Sequence, residues 1–135
     1  MAAAGPLAYR TDAHRVHLIV YHLLWCPKRR KPVLGGDVAW ACRRLLELVC
    51  REQGWDLLEL AIQPDHVHLV VRVGPTTAAA EVVRACKGRT SHDLRRDFPW
   101  LRRLPSLWTR SFFASTASTV SSATIRRYIE AQKGT

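Results

Sequence analysis

A ferredoxin-like α+β sandwich, an antiparallel sheet with helices on one face and one further helix at the C-terminus, is the fold that the sequence predicts. Three observations carry that expectation. Apolar runs of strand length alternate with amphipathic stretches of helical period. Two of the strand-like runs are separated only by Pro64-Asp65, the composition of a tight turn, so they pair as a hairpin. The resulting order, strand, helix, strand, strand, helix, strand, helix, is the split βαβ arrangement with a helix appended. A chain of 135 residues that is 47% hydrophobic supplies one core and not two. We therefore expect one domain over residues 1–135, with the core at about 15–133 and residues 1–13 as an N-terminal tail.

The first strand is read at His14 to Cys26, rich in Val, Ile, Leu and Tyr and ended by Pro27 and the basic run Lys28, Arg29, Arg30, Lys31. After the Gly35-Gly36 turn, Asp37 can cap a helix whose apolar positions Val38, Ala41, Cys42, Leu45, Leu48 and Val49 recur at helical spacing, and Gly54 ends it. Trp55 to Gln63 and His66 to Val73 form the hairpin. Thr76 or Thr77 starts a second helix running towards Leu94, with Gly88 in its interior. Arg84, Lys87, Ser91 and Arg95 put a basic stripe on one of its faces. Trp100 to Arg110 reads as an irregular basic and aromatic loop, Ser111 to Thr119 as the last strand, and Ser121 or Ser122 as the cap of a helix ending near Lys133.

Charge narrows the partners. With 21 Lys and Arg against 11 Asp and Glu, the formal charge of +10 favours a polyanion, because neutralised phosphates release counterions. Nucleic acid fits better than a membrane surface, since the sequence has neither a juxtamembrane basic cluster nor a lipidation motif. No apolar run approaches the ~20 residues that span a bilayer, and Met1 to Tyr9 lacks the basic start of a secretory signal. Cys26, Cys42, Cys50 and Cys86 form no Cys-x-x-Cys pair, which suits buried thiols in a reducing cytoplasm better than a zinc site or a disulfide framework.

Two groups of residues carry chemistry. His66 and His68 flank Val67 on a strand, where alternate side chains share a face, so the two imidazoles can chelate one divalent ion. The same pair also fits a half-exposed, hydrogen-bonded role, with Asp65 as a turn residue or as the partner of an imidazole. On the last helix, Ile125, Tyr128, Ile129 and Gln132 lie three and four apart and share the face that must dock. That face accommodates an ordinary core tyrosine and a rim glutamine as readily as a catalytic pair.

Four motifs decide between these readings. Tyr21-His22-Leu23-Leu24-Trp25-Cys26-Pro27-Lys28, Gln63-Pro64-Asp65-His66-Val67-His68-Leu69-Val70, Cys86-Lys87-Gly88-Arg89-Thr90-Ser91 and Ile125-Arg126-Arg127-Tyr128-Ile129-Glu130-Ala131-Gln132 together resemble the IS200-like single-tyrosine transposases of small bacterial insertion sequences, members of the HUH class. The motifs are co-linear and cover roughly Arg15 to Lys133. The resemblance implies a homodimer that binds hairpins in single-stranded DNA. It makes Tyr128 the nucleophile, His66 and His68 paired metal ligands and Gln132 the third ligand, with magnesium or manganese as the ion. It implies cleavage through a 5′-phosphotyrosine and leaves open that the tyrosine helix docks on the partner's histidines. The expected DNA contacts are Lys28, Arg29, Arg30, Lys31, Arg84, Lys87, Arg89 and Arg95, joined by Arg102, Arg103, Trp108 and Arg110 of the aromatic loop. Two features depart from the family pattern: no aromatic residue interrupts the basic run after Pro27, and Leu104-Pro105-Ser106-Leu107 stands where a glycine-rich approach to Trp108 is usual. The alternatives are a host-encoded, repeat-associated tyrosine transposase, a metal-dependent hydrolase and a non-catalytic ferredoxin-like RNA-binding module, although RNP-type aromatic motifs are not evident.

Overall fold

The computed structural model describes residues 18–116 and 122–132. Its elements are β1 (Ile19–Trp25), α1 (Gly36–Gln53), β2 (Asp56–Gln63), β3 (His66–Val73), α2 (Ala79–Asp97), β4 (Phe113–Ser115) and α3 (Ser122–Ala131), with short 3-10 turns at Lys28–Arg30 and Pro99–Arg103. The four strands form one antiparallel sheet in the order β2-β3-β1-β4, which is the ferredoxin-like arrangement expected. The tail and the residues before Leu18 that were read into the first strand lie outside the described residues, as do Ala117 to Ser121 and Lys133.

Alternation along the strands gives the sheet its two faces. Leu23 and Trp25 of β1 and Val67, Leu69, Val71 and Val73 of β3 are fully buried and join Cys42, Leu46 and Val49 of α1 and Val83, Cys86 and Leu94 of α2 in one core. Burying each such side chain contributes roughly 1.5–3 kcal/mol, which is why one face of the sheet holds both helices. The other face carries His22, Leu24, His66, His68 and Val70, with Leu24 paired to His68 and His22 to Val70 across the β1–β3 ladder. A one-residue slip of β3 would move both histidines into the core and four valines and leucines out of it, so the apolar pattern fixes the register.

Several boundaries differ from the sequence reading, each for a local reason. Gly35, not Asp37, caps α1, leaving Asp37 in the first turn, where its charge favours the positive helix end. Gly54 ends the helix in the left-handed conformation at φ 78°, as expected. Helix α2 starts at Ala79, later than Thr76 or Thr77, because the Thr77 carbonyl accepts the Tyr21 hydroxyl at 2.8 Å and stays outside the helix. Strand β4, Phe113–Ser115, lies within the expected Ser111 to Thr119, and the loop before it is pinned to the end of β1, where Thr109 N–H donates to the Cys26 carbonyl at 3.0 Å and Lys28 N–H to the Leu107 carbonyl at 2.8 Å.

Candidate active site

The hairpin puts the two histidines on the sheet face opposite α1 and α2. His66 faces Gln63 and His68 faces Ala61 across β2–β3. Asp65, in the turn, lies 2.8 Å from His66 Nδ1, so the neutral ring donates there and keeps its Nε2 lone pair for another partner. Burial pulls the pKa of His68 below the ordinary imidazole value; His22 and His66 push the same way and Glu59 opposes them. His68 is thus held neutral, the form in which imidazole binds a metal. His22, whose ring centroid is 6.1 Å from that of His68, belongs to this cluster although no role was read for it in the sequence. The signal was a polar residue inside the apolar run of β1, on the face that alternation assigns to the histidines.

Helix α3 approaches from the β4 side. Phe113 pairs with Leu24 and so shares the histidine face, and the Tyr128 ring lies 6.1 Å from that of Phe113. Ser111 Oγ donates to Gln132 Oε1 at 2.7 Å, and with its one proton committed it accepts from the Tyr128 hydroxyl at 3.1 Å. Burial raises the Tyr128 pKa, and the neighbouring hydroxyls of Ser111 and Thr109 oppose that rise. Gln132, at 6% exposed, is one of three buried polar residues among the described ones, and its Nε2 also reaches the Tyr128 carbonyl at 3.4 Å. Ser111 was not singled out in the sequence, and nothing in its local pattern marks it. Arg30 links the two halves: its guanidinium meets Asp65 at 3.3 Å and Glu130 of α3 at 3.2 Å. Arg29 and Arg30 both adopt left-handed backbone, φ 56° and 55°, at a cost of roughly 1–2 kcal/mol each.

The basic residues separate into groups. Lys28, Arg84, Lys87, Trp108 and Arg110 line one recess of about 660 Å³ between α2 and the loop over residues 105–112. Lys87 is half-buried there, its Nζ donating to the carbonyls of Thr109 at 2.7 Å and Ser111 at 3.0 Å, and burial lowers its pKa to about 8. Trp108 is buried, donating its indole N–H to Thr90 at 3.0 Å. Arg89 is bound by Glu52 and Asp93, and Arg95 donates to the Leu104 carbonyl. Arg29, Lys31, Arg102 and Arg103 are exposed.

Among the described residues no three His, Cys, Asp or Glu side chains converge as a ready metal cage. Two imidazoles on one strand, one oriented by a carboxylate, nonetheless suit a divalent ion, and the amide oxygen of Gln132 is a donor of the right chemistry for a third position.

Residues 15–132 match the family model described as "Transposase IS200 like". The chain belongs to the IS200-like transposase family. The ISDra2 transposase TnpA of Deinococcus radiodurans is 32% identical over 130 residues, covering 94% of this chain and 93% of that protein. The transposase for insertion sequence element IS200 of Salmonella typhimurium is 26% identical over 115 residues, covering 83% and 75%. A crystal structure of a candidate transposase from Deinococcus radiodurans superposes with a TM-score of 0.82 at 32% identity, over 90% of this chain and 95% of that one. A REP-associated tyrosine transposase bound to a REP hairpin shares the fold, with a TM-score of 0.56 at 14% identity over 83% and 62%. In this transposase the four cysteines are buried and free, with burial raising the thiol pKa to about 12 for Cys26 and Cys42 and about 11 for Cys50, and upward for Cys86. No helix among the described residues is long and apolar enough to cross a membrane.

Proposed function

We propose that this transposase is a metal-dependent single-strand DNA endonuclease and strand transferase, with Tyr128 as nucleophile and His66, His68 and Gln132 as ligands of a magnesium or manganese ion. The observation that carries the reading is the seat of the tyrosine helix on the histidine side of the sheet, through Tyr128 against Phe113, Phe113 against Leu24 and Leu24 against His68. A divalent ion at such a site polarises the scissile phosphate and offsets the charge that develops on its oxygens. Asp65 orients His66, and burial keeps His68 neutral. Tyr128 Oη forms the new bond to phosphorus while the bond to the 3′ oxygen breaks. The leaving 3′ oxygen takes up a proton from solvent, and the phenol gives one up to solvent. A second 3′-OH reverses these bonds and joins new ends, since the 5′-phosphotyrosine conserves the energy of the phosphodiester.

The substrate is single-stranded DNA folded into hairpins, a reading supported by the neighbour bound to a REP hairpin. The greater likeness to the ISDra2 protein favours an insertion-sequence enzyme over a repeat-associated one. The enzyme works in the reducing cytoplasm as a homodimer that can exchange its tyrosine helices, because α3 is short and few contacts need re-forming. The test is incubation of labelled single-stranded DNA from the gene's flanks with the purified protein and magnesium, followed by denaturing electrophoresis. We expect a covalent protein–DNA adduct that Tyr128→Phe abolishes without loss of hairpin binding. Normal cleavage by that variant removes the nucleophile assignment. Mixing Tyr128→Phe with His66→Ala chains restores cleavage if the helices exchange, and no recovery from proven heterodimers means that each chain uses its own tyrosine.

A further inference from the structure

The two halves of the site meet through one guanidinium. Arg30 Nε lies 3.3 Å from Asp65 Oδ2, and its Nη1 lies 3.2 Å from Glu130 Oε2 on α3. The other oxygen of Asp65, Oδ1, is the one 2.8 Å from His66 Nδ1. Glu130, Arg30, Asp65 and His66 thus form an unbroken run of contacts from the helix that carries Tyr128 to a proposed metal ligand.

The chain is bent to make this contact. Arg29 and Arg30 are successive non-glycine residues in left-handed backbone, a conformation that persists only where its surroundings hold it and that clusters at functional sites. Arg30 N–H donates to the Pro27 carbonyl at 2.8 Å, and Leu34 N–H to the Pro64 carbonyl at 3.0 Å, so the segment is strapped across the turn that precedes His66. That strap uses no residue of α3: Arg30 stands beside Asp65 by its own backbone, while Glu130 arrives with the helix. The side chains of Arg30, Asp65 and His66 are 22%, 28% and 21% exposed and that of Glu130 is 55% exposed, so the helix end of the run is the most screened and the first to yield. A guanidinium is planar and rigid, and it cannot swing towards solvent at one nitrogen while keeping its angle to a carboxylate at another. Loss of Glu130 therefore loosens Asp65, and with it the hydrogen bond that fixes the His66 ring and presents Nε2. Partners of this kind govern how tightly a ligating imidazole holds its ion.

We propose that Arg30 is a positioning residue that transmits docking of the tyrosine helix to His66, so that the ion is held more tightly when the nucleophile is in its seat. It rests on the metal reading above, and linkage makes the effect reciprocal: a bound ion favours the docked helix by the same factor. Because α3 also carries Gln132, the test is made in Gln132→Ala, where the helix supplies no ligand. Manganese affinity of the purified protein without DNA is measured from the electron paramagnetic resonance signal of the free ion. Glu130→Gln should weaken it by about two- to fivefold, the worth of a half-exposed ion pair. With Arg30→Gln also present, the same Glu130→Gln change should have no effect, since the route is cut. Arg30→Lys keeps the charge but, as a single point cation, cannot hold both carboxylates, so it should abolish the dependence on Glu130 as well. Amide exchange gives the reciprocal readout: manganese should slow exchange in α3 about two- to fivefold in Gln132→Ala, and not once Arg30 is replaced. Equal losses with and without Arg30, the result of a through-space charge effect, overturn the relay, as does no loss in either. If His66→Ala binds manganese as tightly as the wild-type protein, the metal reading fails and the relay with it; a His66-dependent affinity that ignores Glu130 overturns the relay alone.

Discussion

Lys87 is the half-buried cation whose charge state the structure sets most clearly, and replacing it with methionine should change how stability depends on pH. Burial lowers its pKa from 10.5 to about 8, while two carbonyls at 2.7 and 3.0 Å hold its ammonium. Between those two values the unfolded chain binds the proton more readily than the folded one, so stability rises with pH there; the contribution is complete above 10.5 and lost as pH falls through about 8. At ~1.36 kcal/mol per unit, the part gained between neutral pH and about 9.5 is on the order of 2 kcal/mol, and partial exposure of the side chain halves it to roughly 1 kcal/mol. Lys87→Met keeps the length and apolar volume and cannot titrate. Urea unfolding of both proteins over this range should show the wild type gaining about 1 kcal/mol on the variant. The difference cancels titrations common to both, including the thiols of raised pKa. Parallel curves would refute the placement of Lys87 under the Thr109–Ser111 wall.

His68 titrates with the same sign in a lower window. Its folded pKa lies below 6.5, so its contribution is present above that value and lost as pH falls through the depressed one; unfolding free energies should show the wild-type chain losing ground to His68→Gln as pH drops from about 6.5 to 5, and curves that stay parallel refute burial of the ring. Glu130→Arg sets two guanidinium groups against each other where Arg30 now meets a carboxylate at 3.2 Å. Because such a half-exposed pair is worth roughly 0.2–1 kcal/mol, amide exchange in α3 should speed up about two- to fivefold with β3 unaffected; unchanged α3 protection removes Arg30 from the seat of the helix.

The elements legible in the sequence were those whose pattern is local. His66 to Val73 was read with the bounds it has, because alternation broken only at Val70, a Pro-Asp turn before it and Gly-Pro after it leave one choice of register. Helix α1 was legible to its end through Gly54. The first four cations after Pro27 read as one phosphate patch, but two left-handed residues turn the chain there, sending Arg30 to Asp65 and Glu130 while Lys28 lines the recess. Likewise Arg89 shares a motif with Lys87 and Gly88, yet in a helix adjacent residues diverge by about 100°, and Arg89 meets Glu52 of α1. These outcomes depend on partners far along the chain, which spacing cannot report.

The same distinction runs through the candidate site. Its histidine half is fixed by the sheet, since the register that buries Val67 and Leu69 also sets His66 and His68 on the opposite face. Moving either histidine means unzipping a core strand. Its tyrosine half is fixed by side chains: Ser111 to Tyr128 and Gln132, Phe113 to Tyr128, Arg30 to Glu130. Each of those contacts contributes on the order of 1 kcal/mol or less, against roughly 1.5–3 kcal/mol for each core side chain of β3. In the function we propose, this divides the work: the imidazoles are held by the sheet, and the tyrosine is docked separately by side-chain contacts. The loop over residues 105–112 joins the two halves, with one side pinned to β1 and held by Lys87 and the other carrying the hydroxyl on which Tyr128 rests.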